Sequence, residues 1–164
     1  MGLRPLLVAD ANIWIDLDAG GLLREAVAAL GLETTDFVLH ELVQRSLGER
    51  IRSMGVTEHS LTPRQVVEVM ERRREDNHPS IADYSALILA STLKVGLVTG
   101  DKHLRTAASR AGVEVHGVIW VVERLVDDDG LDKTRAANAV EAMVARGARL
   151  PEGAVRELLS RYRG

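Results

Sequence analysis

The chain has 164 residues, enough for one domain with a sizeable core, and its 46% hydrophobic and 27% charged content excludes global disorder. A net charge of −3 leaves no overall basic field, so a polyanionic partner has to be met by local basic patches or by metal ions. The lack of cysteine excludes disulfides, thiolate metal sites and a thiol nucleophile. Asp10 interrupts the N-terminal apolar run, so no signal peptide is expected. No uncharged stretch approaches the roughly 18–20 residues of a bilayer span, and the expectation is a cytoplasmic protein with no membrane partner.

Leu6-Leu7-Val8-Ala9 is a continuous apolar run ending at Asp10, the pattern of a central parallel strand covered on both faces. Asp10, read here without a capping role, stands at the carboxyl end of that strand, where open α/β sheets bind ligands. Ala11 to Leu30 reads as one or two helices, broken near Gly20-Gly21 and closed by Gly31 at C′. Asp36-Phe37-Val38-Leu39-His40 is expected as the second strand, with a helix opening near Glu41. Val56 to Leu61 is expected as an edge strand. Thr62-Pro63-Arg64-Gln65 starts a helix that runs to Arg74, with Thr62 as N-cap, Pro63 at N1 and Gln65 completing a capping box.

After the linker Glu75–Pro79, Ser80 caps a helix over Ile81 to Lys94 that is apolar on most of its surface and therefore buried. Gly96 to Gly100 is a fourth strand leading to Asp101. Lys102 to Ala111 is a helix closed by Gly112, Val113 to His116 a fifth strand, and Val118 to Val122 part of a further helix. Asp127–Asp129 reads as a solvated loop, after which the chain is helical, with one helix capped by Asp132 and ending at Gly147 and another starting near Pro151. Strands alternating with helices predict a three-layer α/β fold, a five-stranded parallel sheet with right-handed crossovers and helices on both faces. Residues 3–126 form the α/β domain, and residues 127–164 a C-terminal helical extension packed on it.

If the first and fourth strands are neighbours where the winding reverses, Asp10 and Asp101 face one crevice. Two more acids compete for it: Glu41, past the second strand, and Asp83, the only acid between Ile81 and Lys94. Like charges at close range raise each other's pKa and need a counter-charge. Oxygen donors with no His or Cys in the set suit Mg²⁺ or Mn²⁺, and such a site does phosphoryl chemistry. Each acid also has a structural reading, Asp101 as an N-cap, Asp83 as the capping-box partner of Ser80, and Glu41 as a first-turn acid favoured by the helix dipole. Four acids, each where one site requires it, outweigh four independent caps.

Lys102, His103 and Arg105, beside Asp101, are candidate nucleic-acid contacts, as is Arg45, with Arg50, Arg52 and Arg72–Arg74 as further basic rims. Asp16 and Asp18 read as surface acids, and Trp14, Trp120 and Tyr84 as packing residues. Two other doubly wound folds are disfavoured. A phosphoacceptor receiver needs paired acids after the first strand, where Ala9 precedes Asp10, and a haloacid-dehalogenase-type phosphotransferase needs an acid where Asn12 stands.

The chain resembles the PIN-domain nucleases, found as VapC-type toxins and their stand-alone relatives. The matching residues are Val8-Ala9-Asp10-Ala11-Asn12, Glu41-Leu42, Ala82-Asp83 and Val98-Thr99-Gly100-Asp101, and the pattern covers residues 3 to 120. The resemblance implies Asp10, Glu41, Asp83 and Asp101 as catalytic acids, Asp10, Asp83 and Asp101 among them as metal ligands, and Asn12 and Thr99 as the polar residues that orient them. It implies Mg²⁺- or Mn²⁺-dependent hydrolysis of RNA, a homodimer and, for a toxin, an antitoxin protein as partner. Lys102-His103-Leu104-Arg105 lacks the further acid that the last motif often carries, which weighs against a two-metal site. The rival reading is a catalytically silent PIN fold that binds RNA or a partner protein.

Overall fold

A computed structural model describes residues 6–43 and 46–164. The apolar run forms β1 (Leu6–Ala9), followed by α1 (Ala11–Ala19) and α2 (Leu23–Ala29), separated at Gly20-Gly21, where Gly21 takes a φ of +70°. The second strand lies earlier than expected, at β2 (Gly31–Thr35), and Asp36–His40 belongs to α3 (Asp36–Glu41). The cause is a cap: the Thr35 hydroxyl accepts from the Val38 amide at 3.1 Å and turns the chain into a helix before the apolar run can extend. Gly31 accordingly opens β2, and α2 already ends at the extended Leu30. Glu41 is thus the last residue of α3, not a first-turn acid.

Next come α4 (Leu47–Ser53) and β3 (Thr57–His59), an edge strand as expected. The Thr62–Gln65 capping box is formed, with both reciprocal bonds present, and opens α5 (Pro63–Glu75). Ser80 and Asp83 make the same motif at the start of α6 (Ile81–Leu93), which Lys94 closes in the left-handed conformation. Then follow β4 (Gly96–Val98), α7 (Lys102–Arg110), β5 (Val115–His116), α8 (Val118–Asp129), α9 (Lys133–Ala145) and α10 (Glu152–Arg163). Asp127–Asp129 form the last turn of α8 instead of a loop, with Asp128 held by Arg124 one turn back at 2.6 Å.

The sheet is all parallel, in the order β3-β2-β1-β4-β5. Val8 lies opposite Leu97 and Ala9 opposite Val98, and the Asp10 amide extends the ladder to the Val98 carbonyl at 3.2 Å. The winding runs outward from β1 to β3, then returns to β4 on the other side of β1. Right-handed crossovers therefore put α1 and α2 on one face and α5 and α6 on the other. α6 lies against β1, β2 and β4 and is buried nearly all round, with Ala82, Ala86 and Ala90 spaced four apart so that the sheet can approach closely.

On the opposite face Trp14 and Leu17 of α1 are fully buried, and α9 packs against α1 with Ala136, Val140 and Met143 in the same core. Gly20 marks the closeness of that contact: a Cβ there would stand 2.7 Å from Met143 Cε and 3.1 Å from the Ala139 carbonyl oxygen. The methionine tip can turn aside but the backbone carbonyl cannot. Gly20→Ala is expected to cost about 1–3 kcal/mol of stability, seen as a lower urea midpoint at unchanged slope.

Candidate metal centre

The reversal of winding leaves a crevice at the carboxyl ends of β1 and β4, and three helices start there. Asp10 follows β1 and is fully buried. Contrary to the expectation that it caps nothing, its Oδ1 accepts from the Ile13 amide at 3.0 Å and caps α1. Its Oδ2 accepts from the Thr99 hydroxyl, and that hydroxyl in turn accepts from the Asp101 amide at 3.1 Å. Thr99, buried at the end of β4, therefore ties the first acid to the fourth. Asp101 caps α7 through the Leu104 amide at 2.7 Å.

Asp83 arrives from the first turn of α6, half-buried, with Oδ2 accepting from the Ser80 amide at 2.9 Å. Glu41 reaches the rim from the end of α3, which packs on α6. Asn12 is exposed in the first turn of α1 and makes no hydrogen bond to any of the four carboxylates.

The electrostatics follow from burial without counter-charge. Desolvation pushes the Asp10 carboxyl up to about 7, with Asp83 and Asp101 adding to the rise and the Thr99 and Ile13 hydrogen bonds opposing it. Burial likewise raises Asp83, with Asp101 contributing, and raises Glu41, with Asp83 contributing. Among the described residues no lysine or arginine forms a salt bridge with any of the four. Arg73 draws the Asp83 pKa down, but its guanidinium is bonded to the carbonyls of Asn77 and Pro79, at 3.0 and 2.9 Å. Three helix N-termini offset part of the negative charge.

A family model described as a PIN domain matches residues 6–163, helical tail included. The chain belongs to the PIN-domain family. No curated protein matches it. PIN domains are generally nucleases and typically use divalent metals, and here Asp10, Glu41, Asp83 and Asp101 are drawn to one end of the sheet.

The other candidate residues divide around this PIN-domain crevice. Lys102 and Arg105 line an open hollow of about 500 Å³ on α7, together with Gly100, Thr106, Ser109 and Arg110. His103 points elsewhere and stacks on His78. Arg45 lies outside the described residues. Arg50 and Arg52 are committed to Asp18 and Glu58 at 2.8 and 3.0 Å, so neither is a free basic rim. Asp16 is not a plain surface acid: it is half-buried, and desolvation pushes its carboxyl up to about 6.

Proposed function

We propose that the chain is a metal-dependent endoribonuclease that hydrolyses RNA phosphodiester bonds at the Asp10–Asp101 crevice. One observation carries the reading: Asp10 is wholly buried, two further carboxylates raise its pKa, and no cation of the described protein pairs with the group. Unpaired charge is costly at such a position unless a ligand supplies the missing opposite sign. The donors are carboxylate oxygens, which fit Mg²⁺ or Mn²⁺. A carboxylate accepts about four hydrogen bonds or ligand contacts, so the Thr99 and Ile13 bonds leave Asp10 capacity for an ion.

Asp10, Asp83 and Asp101 would hold the cation, with Glu41 completing the cluster. When bound, such an ion supplies charge to a phosphate oxygen and lowers the pKa of water. The chain's own work is positioning. Thr99 fixes Asp10 and the Asp101 backbone together, and Ser80 orients Asp83. Lys102 and Arg105 would track the RNA backbone from the α7 hollow next to Asp101.

The test is cleavage of mixed cellular RNA by the wild-type chain and by Asp101→Asn, each with Mn²⁺ or with EDTA. Cleavage that needs Mn²⁺ and disappears in the variant supports the proposal. RNA that is bound but never cut would put a binding module in its place. Replacing Lys102 and Arg105 together by alanine is expected to weaken RNA binding and leave the rate at saturating RNA nearly unchanged. Each lost phosphate contact should flatten the slope of log affinity against log salt by about 0.7, which titrations at several salt concentrations would measure.

A further inference from the structure

We propose that Asp76, His78 and His103 form a second metal site, for one first-row transition ion of the Zn²⁺ class, at the lip of the acidic crevice. The three come from two separate places, the Asp76–Ser80 linker and the first turn of α7. Their ligand atoms all lie within 4.8 Å of one another. His78 Nδ1 is 2.6 Å from Asp76 Oδ1, and His103 Nδ1 is 4.0 Å from Asp76 Oδ2. Two imidazole nitrogens therefore converge on one carboxylate from residues 25 positions apart.

The site is held from outside itself. The Tyr84 hydroxyl donates to the Asp76 carbonyl at 2.7 Å, and Arg73 clamps the Asn77 and Pro79 carbonyls, so the linker is held to α5 and to α6, and α6 in turn packs on α7. This tethering is the preorganisation a metal site needs, because the ordering cost is met before binding. The His78 and His103 rings stack at 4.0 Å between centroids and 5° between planes. Both rings are exposed and can turn about χ2 to aim a lone pair at a shared ion without disturbing the core.

Two nitrogens and one oxygen select a borderline ion over Mg²⁺, which distinguishes this site from the all-oxygen crevice nearby. Three protein ligands also leave a coordination position for water or for an oxygen of a bound molecule. His103 lies two residues beyond Asp101, and Ser80, two beyond His78, bonds Asp83, so an ion here would place positive charge beside the crevice.

The experiment is a Zn²⁺ titration of the full chain against a chromophoric chelator, for wild type, His78→Ala, His103→Ala and Asp10→Asn. With excess Mg²⁺ present to occupy the all-oxygen crevice, one Zn²⁺ is expected to bind the wild type and Asp10→Asn alike. Each histidine variant should bind at least about tenfold more weakly, since losing even an outer-shell partner costs that much. Ring ¹⁵N spectra should show His78 and His103 shifting together while His40, His59 and His116 stay in place. Zn²⁺ binding that survives both histidine variants, binding that vanishes in Asp10→Asn, or no binding by the wild type would each overturn the proposal. Cleavage is not the readout, so this outcome is independent of whether the crevice cuts RNA.

Discussion

Asp10→Asn is expected to abolish metal-dependent cleavage while making the metal-free protein more stable. The two effects share one cause. A cation at the crevice contributes several kcal/mol of charge stabilisation to phosphoryl chemistry, so loss of its most buried ligand should lower the rate by about 10³-fold or more. Without metal, the same carboxylate is a liability: its pKa rises from 3.8 to about 7, and at pH 8 its desolvated charge weakens the fold. That shift corresponds to an upper bound of about 4 kcal/mol, and half of it would raise the melting temperature by roughly 4–8 °C. Asparagine keeps the volume, its oxygen can still accept from the Ile13 amide, and its NH₂ can donate to the Thr99 hydroxyl. A cleavage assay and a melting curve in EDTA check both halves. A variant that is inactive and also less stable than wild type would mean that Asp10 is a structural cap and nothing more.

The capping question shows what the sequence could and could not reveal. The carboxylates of Asp10, Asp83 and Asp101 each accept from a backbone N–H at a helix start, so cap and site are the same positions seen at two scales. A cap signature is local and legible, as at Thr62–Gln65 and Ser80–Asp83. Whether several caps point into one space depends on β1 lying next to β4, a contact between residues about ninety apart that only the topology fixes. The alternation of strands and helices made that topology derivable. The failure at β2 is local instead. A three-residue apolar run, Phe37-Val38-Leu39, does not distinguish strand from helix, and the decisive residue was Thr35, whose hydroxyl opens α3. Val38, Leu39 and Leu42, all buried, carry the helical spacing that could have corrected it. The Asp76–His78–His103 group had no such signal, because its third member joins the other two only through the packing of α7 beside the linker.

The second large effect is a pH dependence of stability that runs opposite to ordinary acid denaturation. A carboxyl whose folded pKa lies above its unfolded value binds more protons in the folded state, so stability falls as pH rises between the two values. For Asp10 that window runs from 3.8 to about 7, and Asp16, raised to about 6, acts in the same direction over a narrower one. Asp83 and Glu41 are raised as well and add to the slope. Glu58 and Asp76, held low by Arg52 and His78, work the other way, but only as pH falls through their own depressed values. In EDTA the unfolding free energy from urea titrations is therefore expected to decline from pH 5 to pH 8, by up to about 3 kcal/mol from Asp10 alone, since about two pH units of its window lie in that range. The decline should be much shallower in Asp10→Asn and only slightly shallower in Asp16→Asn. Mn²⁺ competes with protons for the same oxygens and binds best where they are deprotonated, so it should add stability chiefly above pH 6, about 2.7 kcal/mol at a hundred times its dissociation constant. Parallel curves with Mn²⁺ and with EDTA would mean that these carboxylates take no cation, and the nuclease reading would fall with them.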